Sequence, residues 1–288
     1  MVDTVTFTGF WPLRQPLPSR RKLGLAPGVK CWVGASGEVL ESVECSLPKL
    51  LFGHNGRVIE SQSQIDRALA KLVEILSRIA CMPDVTEWRV SRVDMVWNYN
   101  LPALALITAH AALRVPGFGL GANLFNGGQT VSWRAWRSQL ILTFYNKSKQ
   151  MHVPGSVLRA EISLRGNQLN RRLNGQNWSD FSVLYGMYRG IMVRIPAIQS
   201  PGIAANLQEA IGCVPLAYRQ QIFAQVAHKP GRTRRRWRQR SEAYAARLSG
   251  TFHWEKILPK DGPPKAVCVT PKVTRRVAKK IQALNNYA

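Results

Sequence analysis

The stretch "EWRVSRVDMVWNYN", residues 87–100, predicts a long β-strand because apolar and polar side chains alternate along it. Successive side chains of a strand point to opposite faces of the sheet. One face of this strand is apolar and consists of Val93, Met95, Trp97 and Tyr99. The opposite face carries Val96 and the polar residues Arg92, Asp94 and Asn98. The stretch therefore predicts a strand that packs on a core with one face and presents charged groups on the other.

Two later stretches, "LILTFYNKSKQ" (140–150) and "SVLRAEISLRG" (156–166), predict strands of the same kind. The more polar face of the first contains Ile141, Thr143, Tyr145 and Lys147. The polar face of the second contains Arg159, Glu161, Ser163 and Arg165. If these strands neighbour 87–100 in one sheet, two acids, a phenol and an ammonium group lie together.

The rest of the chain completes an α+β pattern with an antiparallel sheet packed by helices. Residues 29–36 and 37–46 predict two strands joined through Gly37, and 129–148 predicts a β-hairpin. Apolar residues recur at helical spacing in 61–80, and 101–113 predicts a helix with Pro102 in its first turn. Residues 167–226 are expected to be mostly helical.

The charge of the chain indicates a polyanionic partner. Among 288 residues, Lys and Arg number 40 against 16 Asp and Glu, which gives a net charge of +24. Nucleic acid is the first candidate partner and an anionic membrane surface the second. No membrane association is expected, because the most apolar window, 101–113, is too short to span a bilayer and the N-terminal residues do not resemble a secretory signal.

The cysteine pattern excludes two classes of small stabilised fold. The chain has five cysteines, an odd number, and none of them forms a CxxC motif. This argues against a disulfide framework and against a zinc ribbon.

A basic C-terminal region is expected to be mainly helical. The segment "HKPGRTRRRWRQR" (228–240) and the helical pattern of 271–284 are both rich in Lys and Arg. We place a domain boundary near residue 225. Six arginines of the first segment are candidate phosphate-binding residues: Arg232, Arg234, Arg235, Arg236, Arg238 and Arg240.

Two interpretations of the acids on the polar strand faces remain open. Asp94 and Glu161 could form surface ion pairs with Arg92 and Arg159. Alternatively, the two carboxylates could bind Mg²⁺ or Mn²⁺, which prefer hard oxygen ligands. Tyr145 could likewise be an ordinary packing residue or a nucleophile.

Taken together and in order, five segments resemble a known family. These segments are "GHN" (53–55), "SRVDMVW" (91–97), "NGGQTVSW" (126–133), "LILTFYNKSK" (140–149) and "LRAEISL" (158–164). Over roughly residues 1–170 the chain resembles the gene II/X type replication initiators of filamentous single-stranded DNA phages and related rolling-circle plasmid initiators. The resemblance implies a rolling-circle-nickase-like nuclease fold in degenerate form.

The resemblance also implies an activity, a DNA-nicking endonuclease that acts at a replication origin. Tyr145 matches the tyrosine that attacks the phosphodiester and keeps the 5′ end as a phosphotyrosine. Lys147 is a second candidate catalytic residue, because its positive charge beside Tyr145 would favour the phenolate. Asp94 and Glu161 match the carboxylates that bind Mg²⁺ or Mn²⁺. No His-x-His pair occurs in the chain, so metal binding would depend on these carboxylates, with His54 as a possible third ligand.

Further residues are candidates for contacts with double- and single-stranded origin DNA. Trp133 and Trp136 in the hairpin could stack on unpaired bases, although Trp133 could equally belong to the core. The candidate phosphate-binding residues in this part of the chain are Arg92, Arg134, Arg137, Lys149 and Arg159.

We expect a nicking and joining domain over 1–170, a helical extension over 171–226 and a DNA-binding region over 227–288. The family resemblance implies host helicase, polymerase and single-strand-binding protein as partners in the bacterial cytoplasm. A non-catalytic DNA- or RNA-binding protein and a relaxase or transposase with the same tyrosine chemistry are the alternatives.

Overall fold

A computed structural model describes residues 1–111, 115–118, 123–125, 129–195, 198–199, 211–212, 231–246 and 251–269. The strands are β1 (Val2–Pro12), β2 (Lys22–Ala26), β3 (Val29–Val33), β4 (Val39–Ser46), β5 (Arg89–Tyr99), β6 (Asn123–Phe125), β7 (Thr130–Ala135), β8 (Leu140–Asn146), β9 (Leu158–Arg165), β10 (Ile198–Gln199) and β11 (Thr251–Phe252). The helices are α1 (Leu47–Phe52), α2 (Gln62–Ser77), α3 (Ala103–Ala111), α4 (Lys147–Gln150), α5 (Gly166–Leu173), α6 (Phe181–Met192), α7 (Gly231–Ala245) and α8 (Trp254–Ile257).

Strands β1 to β9 form one antiparallel sheet in the order β2-β3-β4-β1-β5-β9-β8-β7-β6. The expected α+β class and its antiparallel sheet are therefore confirmed. Strands β5, β9 and β8 are neighbours, as the shared pattern of alternation suggested. Strand β1, which the sequence pattern did not assign, lies in the middle of the sheet between β4 and β5.

The apolar faces of the three predicted strands meet in register. Val93 pairs with Leu164, which pairs with Leu140 on its other side. Trp97 pairs with Ala160, which pairs in the same way with Phe144. All of these side chains are buried, so the assignment of faces from alternation is correct.

Aromatic residues from several elements cover this apolar face. The Trp254 ring of α8 packs against Tyr99 and Phe144, with ring centroids 5.2 and 5.4 Å apart. The Trp254 indole N–H donates to Nε2 of His110, which lies in α3, at 3.1 Å. From α6, Tyr188 makes a hydroxyl–hydroxyl hydrogen bond of 3.1 Å with Tyr99. Residues 251–258 thus contribute to the same core as the N-terminal sheet.

Two glycines fix the loop between α1 and α2. Gly53 ends α1 in the left-handed conformation, with φ at 77°, and its N–H donates to the Lys49 carbonyl. Gly56 lies against the backbone of residue 269, and a Cβ at this position would clash with the Val269 carbonyl oxygen. The Gly56 carbonyl accepts hydrogen bonds from the Val269 N–H and the Asn98 side chain. The loop 53–57 is therefore held close to the polar face of β5.

The remaining predictions have mixed outcomes. Helices α5 and α6 lie in the segment expected to be mostly helical, and α7 is the expected helix in the arginine-rich segment. The boundary near residue 225 and the helical pattern of 271–284 lie outside the described residues. In the described ranges, the chain has no helix that is both long enough and apolar enough to cross a membrane.

Candidate active site

The polar faces of β5, β9 and β8 also meet in register, and they place the predicted site residues side by side. Asn98 pairs with Arg159, which pairs with Tyr145 on its other side. Two residues along the strands, Glu161 lies between Val96 and Thr143. Asp94 pairs with Ser163 two residues further. The sheet thus assembles the phenol and both acids on one surface.

The central contact of this surface joins Tyr145 and Glu161. The Tyr145 hydroxyl donates to Oε2 of Glu161 at 3.3 Å. Burial raises the pKa of Tyr145, and the nearby acids Glu161 and Asp3 add to this effect while Arg159 opposes it. The pKa of Glu161 is raised to about 7, first by burial and then by Asp94 and Asp3. The neutral phenol is therefore favoured over the phenolate, because the hydroxyl lies among acids in a poorly solvated site.

Asp94 forms the ion pair that was left open as an alternative, but its carboxylate is buried and only Arg92 is partly exposed. Both carboxylate oxygens of Asp94 accept from the Arg92 guanidinium, and Asp94 is only 2% exposed. Burial raises the pKa of Asp94 in spite of this partner. The corresponding pair between Glu161 and Arg159 does not form among the described residues.

Arg159 is a structural cation within the site and is unavailable to DNA. Its side chain is 0% exposed, which corrects its assignment as a DNA contact. The guanidinium donates through Nε to Oδ1 of Asn98 at 2.7 Å and through Nη2 to the Asn55 carbonyl. Its Nη1 lies 3.7 Å from Oδ1 of Asp3. The buried charge therefore stabilises the site from below the surface.

Asp3 is a site residue that the sequence analysis missed. It lies on β1, where its neighbour Thr4 pairs with Asp94. The negative charge of Asp3 adds to the raised pKa of Asp94, Glu161 and Tyr145. Two features of the sequence could have indicated Asp3. The chain has few acids, and this one precedes a segment in which apolar and polar residues alternate.

Lys147 is buried beside the tyrosine, although it is not on the strand. Strand β8 ends at Asn146, whose side chain accepts from the Lys149 N–H and caps the short helix α4. The Lys147 ammonium donates to Oδ1 of Asn55 at 3.2 Å and to Oε1 of Gln150 at 2.8 Å. It lies 5.8 Å from the centroid of the Tyr145 ring. Burial, with a smaller effect of Arg159, lowers the pKa of Lys147 to about 7.

His54 does not join the carboxylates. Its Nδ1 accepts from the Gly56 N–H at 3.0 Å, within its own loop. Burial and the neighbouring cations Arg57 and Lys147 lower its pKa. The residue of this loop that contacts the site is instead Asn55. Within the described residues, no three His, Cys, Asp or Glu side chains are grouped so that they could hold a metal ion.

The predicted nucleic-acid contacts divide into buried and exposed residues. Trp133 is 0% exposed and packs on Phe144, so its proposed role in base stacking is wrong and its core alternative is right. Arg134, Arg137 and Lys149 are exposed, while Arg92 is partly exposed. On α7, the exposed arginines are Arg232, Arg235, Arg236, Arg238 and Arg240. The side chain of Arg234 lies outside the described part of the structure.

Comparisons with solved structures show distant likenesses. The structure titled rolling circle replication initiator protein, from Geobacillus stearothermophilus, is similar at a TM-score of 0.40 and 15% sequence identity. The similarity covers 78% of this chain and 95% of that one. No protein family matches in a scan, and a search of curated proteins finds no match. A likeness this distant does not decide the chemistry of the chain, which has to be inferred from the site.

Proposed function

We propose that this chain is a rolling-circle replication initiator, an endonuclease that nicks one strand of a DNA origin and later rejoins it. The observation that supports the proposal is the hydrogen bond from Tyr145 to Glu161 on a polar sheet face of a strongly basic protein. A tyrosine that only packs in a core does not require a buried acid as its partner. The sequence segments that resemble phage and plasmid initiators agree with this choice.

The tyrosine and the acid can together perform the first strand transfer. The Tyr145 oxygen attacks the phosphorus while its proton passes to Glu161, and the bond from phosphorus to the 3′ oxygen breaks. The 3′ oxygen leaves as a hydroxyl after taking a proton from solvent. The 5′ phosphate stays on Tyr145 as a phosphodiester. Its energy is thereby conserved, so rejoining requires no ATP, and the chain accordingly has no GxxxxGK[ST] motif.

Buried Arg159, and Lys147 in its protonated form, supply positive charge close to this reaction. Arg159 lies beside Tyr145 on the neighbouring strand β9, and its hydrogen bonds to a side chain and a carbonyl hold it in place. Lys147 lies next to the ring and is held by two side-chain amides. Charges fixed in a poorly solvated site stabilise a developing phosphorane better than mobile charges in water do.

A divalent cation, Mg²⁺ or Mn²⁺, stays a prediction. Oxygen donors of the right kind are present, since an oxygen of Asp3 is buried without a hydrogen-bond partner among the described residues. However, Asp94 is occupied by Arg92, Glu161 by Tyr145, and His54 lies apart. The expected three-ligand set is therefore not assembled, and no step above depends on a metal.

Incubation with supercoiled origin DNA tests the proposal. The wild-type chain should give nicked circles that carry covalently attached protein. Tyr145→Phe should abolish both products and leave DNA binding unchanged. Tyr185→Phe is the matched control, because Tyr185 donates to the Pro259 carbonyl outside the site and should nick normally. Intact supercoils with ordinary retarded bands in the wild type would instead identify a non-catalytic binding protein.

The same assay, run with added Mg²⁺ and with a chelator, tests the metal separately. Nicking lost in the chelator and restored by Mg²⁺ would support a metal role, and nicking unaffected by the chelator would eliminate it. Host helicase, polymerase and single-strand-binding protein, and a bacterial cytoplasmic location, are part of the proposal. A gene that supports replication of a plasmid bearing its origin would distinguish an initiator from a relaxase or transposase.

A further inference from the structure

The turn between β7 and β8 is the most unusual backbone segment in the described part of the chain. Trp136, Arg137 and Ser138 follow one another with φ angles of 46°, 54° and 65°. Residues other than glycine rarely adopt this left-handed conformation singly, and three in succession are strongly disfavoured. Such a conformation persists where the surroundings impose it, and it is enriched at functional sites.

The turn is also well anchored. The strands pair up to Ala135 and Leu140, the last residues before the turn. The Gln139 N–H donates to the Trp136 carbonyl at 3.1 Å, and the Gln139 carbonyl accepts from the Arg165 N–H at 2.8 Å. The turn is thereby fixed to β9 as well as to its own hairpin.

This anchored turn presents an aromatic ring to solvent. Trp136 is 50% exposed, whereas Trp133 three residues earlier is fully buried. Only Phe10 shares this property among the large apolar side chains of the described ranges. A hollow of about 480 Å³ lies at the turn and is lined by Gly117, Arg134, Ala135, Trp136, Arg137 and Ser138. Its lining contains two arginines and no acid.

The positive charge extends from the turn toward the tyrosine. Arg134 pairs with Ile141, which places it on the same sheet face as Tyr145. Neither Arg134 nor Arg137 forms an ion pair with any residue that the structure describes. Partial burial, then Arg92 and Arg134, lower the pKa of Arg165 at the end of β9. Asp94 and Glu44 oppose this shift in part. Arg134 and Arg137 have no carboxylate partner among the described residues, which leaves them available for a phosphate ligand.

We propose that Trp136 is a stacking platform for an unpaired base of single-stranded DNA, with Arg134 and Arg137 binding the flanking phosphates. An aromatic ring accepts any base, since every base has a π-face, and arginines beside it hold the backbone. Five residue steps separate Leu140 from Tyr145, which is about 17 Å along the strand. At the nucleotide spacing of about 3.4 Å in stacked DNA, the base lies within about five nucleotides of the phosphate at Tyr145.

The placement relative to the cleaved bond rests on the proposed function, whereas the stacking itself does not. The test therefore measures binding with Tyr145→Phe protein and a short oligothymidylate that carries one 2-aminopurine, whose fluorescence falls when it stacks. We expect a fluorescence decrease for the parent protein, and its loss in Trp136→Ala together with about 10- to 100-fold weaker single-strand binding. Trp136→Phe should retain most of both signals.

Phe10→Ala is the matched control, because Phe10 is the other exposed large apolar side chain among the described residues and lies on β1 away from the turn. It should leave single-strand binding unchanged, and duplex binding should be similar in all these variants. Unaltered quenching and affinity in a folded Trp136→Ala protein would overturn the proposal. Equal loss of duplex and single-strand binding in Trp136→Ala would also overturn it. So would a change in oligomeric state as the only effect of Trp136→Ala.

The outcomes for the two proposals are distinguishable. Quenching by Trp136 in a protein that never nicks DNA would refute the endonuclease and keep the stacking platform. Nicking activity together with quenching that does not depend on Trp136 would refute the stacking platform and keep the endonuclease.

Discussion

Replacing Lys147 by methionine should change how the stability of the protein depends on pH. The methionine side chain has a similar length and no charge. Lys147 is completely buried, and its pKa is lowered from 10.5 to about 7. From pH 7 to pH 10.5, an unfolded chain still carries the proton that the folded chain has lost. The wild-type protein should therefore become more stable, relative to Lys147→Met, as the pH rises through this window.

The size of the effect follows from the pKa difference. Each tenfold change in proton affinity corresponds to about 1.4 kcal/mol, so the stability difference between the two proteins should grow by up to about 5 kcal/mol. Below pH 7 the group is charged in both states, and its contribution no longer changes with pH. Partial solvation of the ammonium in the native ensemble would reduce the value without changing its sign.

Urea unfolding of both proteins at pH values from about 6 to about 10 measures this difference directly. Other titrating groups are common to the two chains and cancel in the comparison. Lys149→Met is the control, because Lys149 is exposed two residues away and should show no such pH dependence. Parallel curves for wild type and Lys147→Met would refute a buried, weakly basic Lys147.

Three further predictions concern other charged groups. Asp3→Asn should lower the free energy of unfolding in urea by about 1–3 kcal/mol, because Arg159 loses its only carboxylate neighbour within 4 Å in the described chain. An unchanged unfolding midpoint would contradict this. Burial lowers the pKa of His110 to about 4, so the stability of the wild type should fall by up to about 3 kcal/mol from pH 6.5 to pH 4. His110→Gln should lose less stability over that range, as measured by thermal unfolding. Replacing Arg235 and Arg236 by glutamine should lower the slope of log binding constant against log salt by about 1–2, and an unaltered slope would exclude α7 from DNA contact.

Much of the sheet could be predicted because alternation is a local property. The patterns in 87–100, 139–147 and 156–165 assigned the side chains that lie on β5, β8 and β9 to the correct faces, and the register then brought Tyr145 to Glu161. Trp133 could have been assigned to the core by the same rule, since it alternates with Arg134 and pairs with the apolar Leu142.

The missed features depend on contacts between distant segments. Nothing local in 2–12 specifies that this segment inserts between β4 and β5, so Asp3 could not be placed. Alternation indicates that Arg159 lies on a polar face, but it does not indicate whether another segment covers that face. The cover comes from the loop 53–57, about a hundred residues earlier in the chain. Lys147 was misplaced for a local reason, since the Asn146 cap ends the strand just before it.

The charged groups of the polar sheet face fall into two sets, buried cations near Tyr145 and exposed cations that can bind phosphates. Arg159 and Lys147 are covered by the loop 53–57 and cannot touch a DNA strand, so they act on Tyr145 only through their field. Arg134 and Arg137 are open to solvent at the hairpin turn and can exchange counterions for phosphates. Tyr145 is half-buried between these two sets, and we expect a strand to reach its hydroxyl from the hairpin side, where the exposed arginines lie. Substitutions at the covered cations should therefore change the rate of nicking with little effect on its salt dependence, and substitutions at the turn should do the opposite.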